Sequence, residues 1–144
     1  MPTARVFGVG RLRSLPLFTR FLAVAIAIFW VAGLPPAWGV RAWAALVPDK
    51  ISFKTAYRLS TFPLVHLNII HAAINMVALT PLMERFENEH GTLTTISLFF
   101  GPLTTLPALL YLLIERGVLR SNSIVMGSSI WDIFVARLLD TYLV

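Results

Sequence analysis

Three long apolar stretches alternate with short polar ones along the chain. No charged residue occurs between Phe21 and Val40, between Leu59 and Met83, or between Thr92 and Ile114. About 20 residues at 1.5 Å rise cross the ~30 Å hydrocarbon core of a bilayer, so each stretch is long enough to span as a helix. The pattern predicts spans at about residues 18–37, 62–83 and 93–114, with Pro102 and Pro107 kinking the third. A fourth is expected to start near 127, after a polar connection over 115–123. Asp132, Arg137 and Asp140 then recur through 132–144, too densely for a lipid-facing span. That segment reads as a polar, amphipathic tail, or as aberrant out-of-frame sequence joined to a broken fourth helix.

The connections differ in kind. Residues 35–58 hold Pro35, Pro36, Pro48, Trp38, Trp43 and four basic residues, a mixture suited to the headgroup zone. Trp30, Trp38 and Trp43 read as interfacial anchors. Glu84 to Gly91 forms a short charged turn, with Glu84, Glu87 and Glu89 expected in solvent and His90 exposed. The Arg-rich start resembles a signal peptide, but Pro35-Pro36 and the lack of a small-x-small cleavage site favour a retained span.

Composition agrees with the pattern: 57% of the 144 residues are hydrophobic and 13% charged, against roughly 25% charged in a soluble domain. With a mean hydropathy of +0.76, this is an integral, multi-pass membrane protein. It lacks cysteine, which removes disulfides, thiolate nucleophiles and cysteine-held metals. The net charge of +5 is scattered between apolar spans, so anionic lipid headgroups fit it better than nucleic acid. Basic residues divide almost evenly between the two sides, and the positive-inside rule leaves orientation open.

Against that background the run His66-Leu-Asn68-Ile-Ile-His71-Ala-Ala-Ile-Asn75 stands out. Polar side chains inside a span are costly and usually functional. Asn68, His71 and Asn75 are spaced i, i+3, i+7, and a helix would align them as one polar stripe. The second and fourth spans start on the same side of the membrane, so this stripe and the Gly127-Ser128-Ser129 segment lie at similar depth. A serine near His and Asn side chains points to acyl transfer, in which the nucleophile needs a base and the oxyanion needs donors. His71 and Asn75 supply two donors, and the Ser129 backbone N–H a third. Gly127 lets the backbone come close. The plainer readings are that His71 and Asn75 only tie helices together and that Ser128 or Ser129 is only a helix N-cap. A metal site from His66 and His71 is disfavoured, because five residues on a helix separate their directions by ~140°.

His66-x4-His71-x3-Asn75, then Glu87-x3-Gly91, then Gly127-x-Ser129 resembles the rhomboid intramembrane serine proteases, and the tract from Arg58 to Trp131 resembles their fungal Golgi-type branch. The resemblance covers that family's first three helices and the start of its fourth. It implies an all-α, polytopic, rhomboid-like helical bundle in which residues 1–131 form a partial membrane domain. It further implies a chain that breaks off within the fourth helix. Ser129 would be the nucleophile, His71 and Asn75 oxyanion residues, and His66 a liner of the same cavity; Glu87 and Gly91 would be structural. The reaction implied is peptide-bond hydrolysis in or near transmembrane segments of membrane-protein substrates, without metal or organic cofactor, in Golgi or other endomembranes. Ile130 stands where the family has a second glycine, which keeps Ser128 as the fallback nucleophile. The family's general base is a histidine on a later helix, and the histidines here are His66, His71 and His90. The 144 residues alone are therefore expected to be an inefficient protease. The alternative is a catalytically inactive rhomboid-like protein that binds transmembrane clients.

Overall fold

The computed structural model describes residues 9–128 and Trp131; side chains are described from Leu12 onward. Ser129, Ile130 and 132–144, and with them the expected tail, lie outside the described residues.

A short helix α1 (Val9–Ser14) leads through Pro16 into α2 (Leu17–Ala32). No glycine or proline interrupts α2; Gly33 caps it, and Pro35-Pro36 prevents continuation, since the residue before a proline disfavours helical backbone. The first span's helix thus ends at Ala32 and not at 37. The chain bends by 106° into Pro36–Ala44, whose last turns form α3 (Val40–Ala44). Short 3-10 turns at Pro48–Lys50 and Phe53–Thr55 follow, then α4 (Arg58–Thr61). This connection is tied down: Leu46 and Val125 exchange both backbone hydrogen bonds at 3.0 Å, and the buried Arg58 donates from Nη1 to the Ala45 carbonyl at 2.7 Å. Trp43 stacks on Tyr57 with ring centroids 4.8 Å apart, and both Trp38 and Trp43 stay exposed.

The second apolar stretch is not one continuous helix. A 3-10 turn at Phe62–Leu64 is followed by non-helical backbone at 65–68, and α5 (Ile69–His90) starts after a 79° bend. Asn68 causes the restart: its backbone is extended and its Oδ1 accepts the His71 N–H at 2.8 Å, a side-chain N-cap. The expected stripe therefore loses Asn68, which sits off the helix as its cap. Gly91, at φ +82°, ends α5 and opens α6 (Thr92–Phe99). The third span breaks at Phe100-Gly101, immediately before α7 (Pro102–Leu112). A Cβ on Gly101 would lie 2.4 Å from the Ser97 carbonyl oxygen, so the break needs glycine there. The helix runs on as a π-turn over Leu113–Leu119, where a loop was expected from 115. Glu115 is buried, accepting from the Ser121 hydroxyl and the Ser123 N–H.

The core lies between α2, α5 and α6. Phe18, Leu22, Ala25 and Ile26 from α2 face Leu79, Met83 and Phe86 from α5, each series at three- and four-residue spacing. Trp131 is fully buried against Phe99 and donates from Nε1 to the Thr104 hydroxyl at 2.9 Å, fixing the chain just past the glycine-serine segment. Ile28, Val31, Ile70, Ile74 and Val77 instead point outward. By length and composition Thr92–Leu119 can cross a bilayer alone, and the bent pairs Leu17–Ala32 with Pro36–Ala44 and Phe53–Leu64 with Ile69–His90 can do so as broken spans. The described residues thus form an all-helical, polytopic arrangement, with Leu46–Val125 as an isolated bridge and not a strand.

Candidate active site

The bend before α5 builds the site. Because 65–68 is not helical, His66 does not lie on the helix that carries His71 and Asn75, and the ~140° divergence expected from a continuous helix does not apply. The two imidazoles lie with ring centroids 5.1 Å apart, nearly edge to face. His66 is 1% exposed and Asn75 4%. The Asn75 carboxamide donates from Nδ2 to His66 Nε2 at 3.0 Å, and the Ser128 backbone N–H donates to the same nitrogen at 3.4 Å. Two groups that can only donate require an unprotonated Nε2, so His66 is neutral with its proton on Nδ1.

Gly127 closes the site from the other side. Its N–H donates to the Phe62 carbonyl at 3.0 Å, and its φ of +114° is a conformation side chains rarely adopt. A Cβ there would meet His71 Cε1 at 2.8 Å, His71 Nε2 at 3.1 Å and Asn75 Nδ2 at 3.5 Å. Two side-chain nitrogens thus converge on bare backbone, and only glycine leaves the space open. Asn75 has a second N–H, and the His71 ring makes no hydrogen bond to a described residue. His66, His71, Asn75, Gly127 and Ser128 lie together; Ser129 lies outside the described residues.

Ser128 is fully buried, its hydroxyl 3.3 Å from His66 Nε2. A nucleophile must be reachable by a substrate carbonyl, and this one is packed away. No group of three His, Asp or Glu side chains among the described residues is placed to hold a metal.

Glu87 corrects the expectation of a solvated turn. It is 3% exposed. Oε1 accepts from the Phe18 N–H at 2.8 Å and the Thr92 hydroxyl at 2.7 Å; Oε2 accepts from the Thr19 N–H and the Thr19 hydroxyl, both at 2.8 Å. The carboxylate thereby caps α2, whose own N-cap, Pro16, offers no side-chain acceptor, and it meets the positive end of that helix. Glu87 lies past the apolar part of α5. Burial pushes its carboxyl up, but the hydrogen bonds from Thr92, Phe18 and Thr19 together hold it below the usual range. Gly91 completes the turn, its N–H on the Glu87 carbonyl at 2.8 Å. His90, expected to be exposed, stacks on Phe86 with ring centroids 4.2 Å apart. Sequence reasoning missed Thr19 and Thr92 as partners of Glu87; a helix starting after proline with no acidic residue in its first turn was the available signal.

A multi-span helical membrane protein in which buried His66 and Asn75 and the half-buried His71 meet a glycine-serine turn is the class that the fold and site define. Residues 54–134 match the rhomboid domain. The chain is 56% identical over 134 residues to the rhomboid-type serine protease 2 of Gibberella zeae, covering 90% of this chain and 50% of that protein. It is 56% identical over 117 residues to the protein of the same name from Podospora anserina, covering 81% and 40%, and 52% identical over 135 residues to that of Neurospora crassa, covering 89% and 49%. The chain belongs to the rhomboid family and is an integral membrane protein. It spans about half the length of the curated relatives it matches.

Proposed function

We propose that this chain carries the nucleophile and the oxyanion-binding half of an intramembrane serine endopeptidase that hydrolyses peptide bonds in or near transmembrane segments of membrane proteins. The observation that carries the reading is the convergence of His71 Nε2 and Asn75 Nδ2 on the Gly127 backbone. Ser129 Oγ attacks the scissile carbonyl carbon, its proton passes to a base, and the carbonyl oxygen becomes an oxyanion. His71, the free N–H of Asn75 and the Ser129 backbone N–H donate to that oxygen, an interaction strongest in the transition state. Collapse of the tetrahedral species breaks the C–N bond, with a proton returned to the leaving amine. Water then hydrolyses the acyl-enzyme.

His66 is a positioning residue in this scheme: its Nε2 holds the Asn75 carboxamide and the Ser128 N–H at once. His90 lies roughly 28 Å along the helix from His71. The family resemblance implies a general base on a later helix, and none of His66, His71 and His90 is given that role here. Residues 1–131 are taken as the membrane domain. A Golgi or endomembrane location belongs to the same proposal and rests on resemblance to the fungal Golgi-type branch; so do the transmembrane substrates.

The test is cleavage of a single-span membrane protein in proteoliposomes by the longest form that the gene's transcripts encode. Cleavage is expected to vanish in Ser129→Ala and persist in Ser128→Ala. Cleavage that survives Ser129→Ala overturns the assignment.

A further inference from the structure

The polar surface that the site does not use lies where the end of the third span meets the connection after α2. Two adjoining cavities, of about 210 and 380 Å³, share Asn122 as a wall. The first is lined by Asp49, Arg116, Arg120 and Ser121, and the second includes Arg41 and Lys50. None of these four cations forms an ion pair with a described carboxylate, whereas Arg85 is paired with Glu89 at 2.8 Å. Two acidic groups are near. Glu115 is committed to Ser121 and Ser123, and Asp49 leaves the cations in excess.

The turn between the cations is built and not loose. Asn122 Oδ1 accepts the Asp49 N–H at 3.1 Å, the Tyr111 hydroxyl donates to the Ser123 carbonyl at 2.9 Å, and the Leu46–Val125 bridge pins the next residues. Val118, Leu119 and Ile124 are exposed around it. In a chain that crosses a bilayer, unpaired cations rimmed by exposed apolar side chains mark the headgroup level.

We infer that Arg116 and Arg120, with Lys50, Arg41 and Asn122, form a site for a phosphate group, as carried by an anionic phospholipid headgroup or by free phosphate. Arginine's planar fork suits phosphate oxygens, and the Asn122 carboxamide, whose oxygen accepts from Asp49, keeps its amino group as a neutral donor beside it. For a lipid, the apolar rim gives the acyl chains a surface to follow.

Native mass spectrometry of the detergent-solubilised protein, titrated with phosphatidylserine, phosphatidylcholine or inorganic phosphate, tests this. Phosphatidylserine is expected to bind more tightly than phosphatidylcholine. The double substitution Arg116→Gln, Arg120→Gln is expected to weaken it about tenfold to thirtyfold, at roughly 1 kcal/mol per basic residue near a membrane surface. Arg116→Lys with Arg120→Lys should fall between wild type and the glutamine pair, since the charge is kept and the planar forks are lost, and Arg85→Gln should leave binding unchanged. Competition by inorganic phosphate at equal concentration identifies a free-anion site; its failure identifies the lipid. Equal binding by wild type and the double glutamine variant, or an equal loss in Arg85→Gln, overturns the inference. Lipid retention needs no proteolysis, so this result stands apart from the Ser129 test.

Discussion

The two ends of α5 each meet a polar cluster inside the fold, and the two are built on opposite rules. At the C-terminal end each oxygen of Glu87 accepts two hydrogen bonds, and every donor aimed at it is used. At the N-terminal end His66 Nε2 is saturated, yet the His71 ring has no hydrogen-bond partner among the described residues and Asn75 keeps an N–H in reserve. A saturated cluster in a low-dielectric interior fixes structure; donors left over at a glycine-lined gap are free to bind something that forms only during reaction. One helix thus carries a joint at one end and the proposed reactive site at the other.

The comparison breaks most visibly if activity and stability fail to separate. His71→Ala and Asn75→Ala are each expected to lower kcat about 10²- to 10³-fold, the cost of one oxyanion donor. Thermal unfolding in detergent stays nearly unchanged in His71→Ala, and Asn75→Ala loses about 1 kcal/mol with its buried bond to His66. Glu87→Ala is expected to do the reverse: stability falls by about 3 kcal/mol or more, since four donors lose a charged acceptor, while the folded fraction keeps its specific activity. The same joint gives a pH dependence. A carboxyl held below its unfolded value contributes stability that is fully present above the unfolded pKa and lost as pH falls through the folded one. Unfolding midpoints measured downward from pH 6 should drop in wild type, and drop less in Glu87→Gln.

Gly127→Ala tests the gap itself. The added Cβ meets the His71 ring at 2.8 Å on a backbone of φ +114°, so both a stability loss of about 1–3 kcal/mol and a large fall in kcat are expected. His66→Phe sharpens the picture with the smallest effect. It keeps the volume but removes the acceptor that orients Asn75, and kcat should fall at least tenfold with KM unchanged. Equal losses in kcat and in folded yield would reduce His66 to packing.

Much of this was visible in the chain before folding. The charge-free stretches pointed to an all-helical, multi-span protein, His66, His71 and Asn75 stood out as polar groups in an apolar stretch, and Gly127 as a place for close backbone approach. What escaped was geometry set from outside each segment. A helical wheel separates His66 from His71 by ~140°; the Asn68 cap and the non-helical 65–68 backbone bring them together. Glu87 looked solvated because its partners Phe18 and Thr19 are 69 and 68 residues away, beyond any local pattern. Proline pointed to the kink in the third span, and Gly101, one residue earlier, is where the backbone departs from helix.

Covalent labelling tests the central claim most directly. The longest expressed form, incubated in detergent with a serine-reactive fluorophosphonate and mapped by peptide mass spectrometry, is expected to carry the label on Ser129. Labelling should slow in Asn75→Ala and stay unchanged in folded Glu87→Gln. Label on Ser128, or labelling that Ser129→Ala leaves intact, would contradict the account.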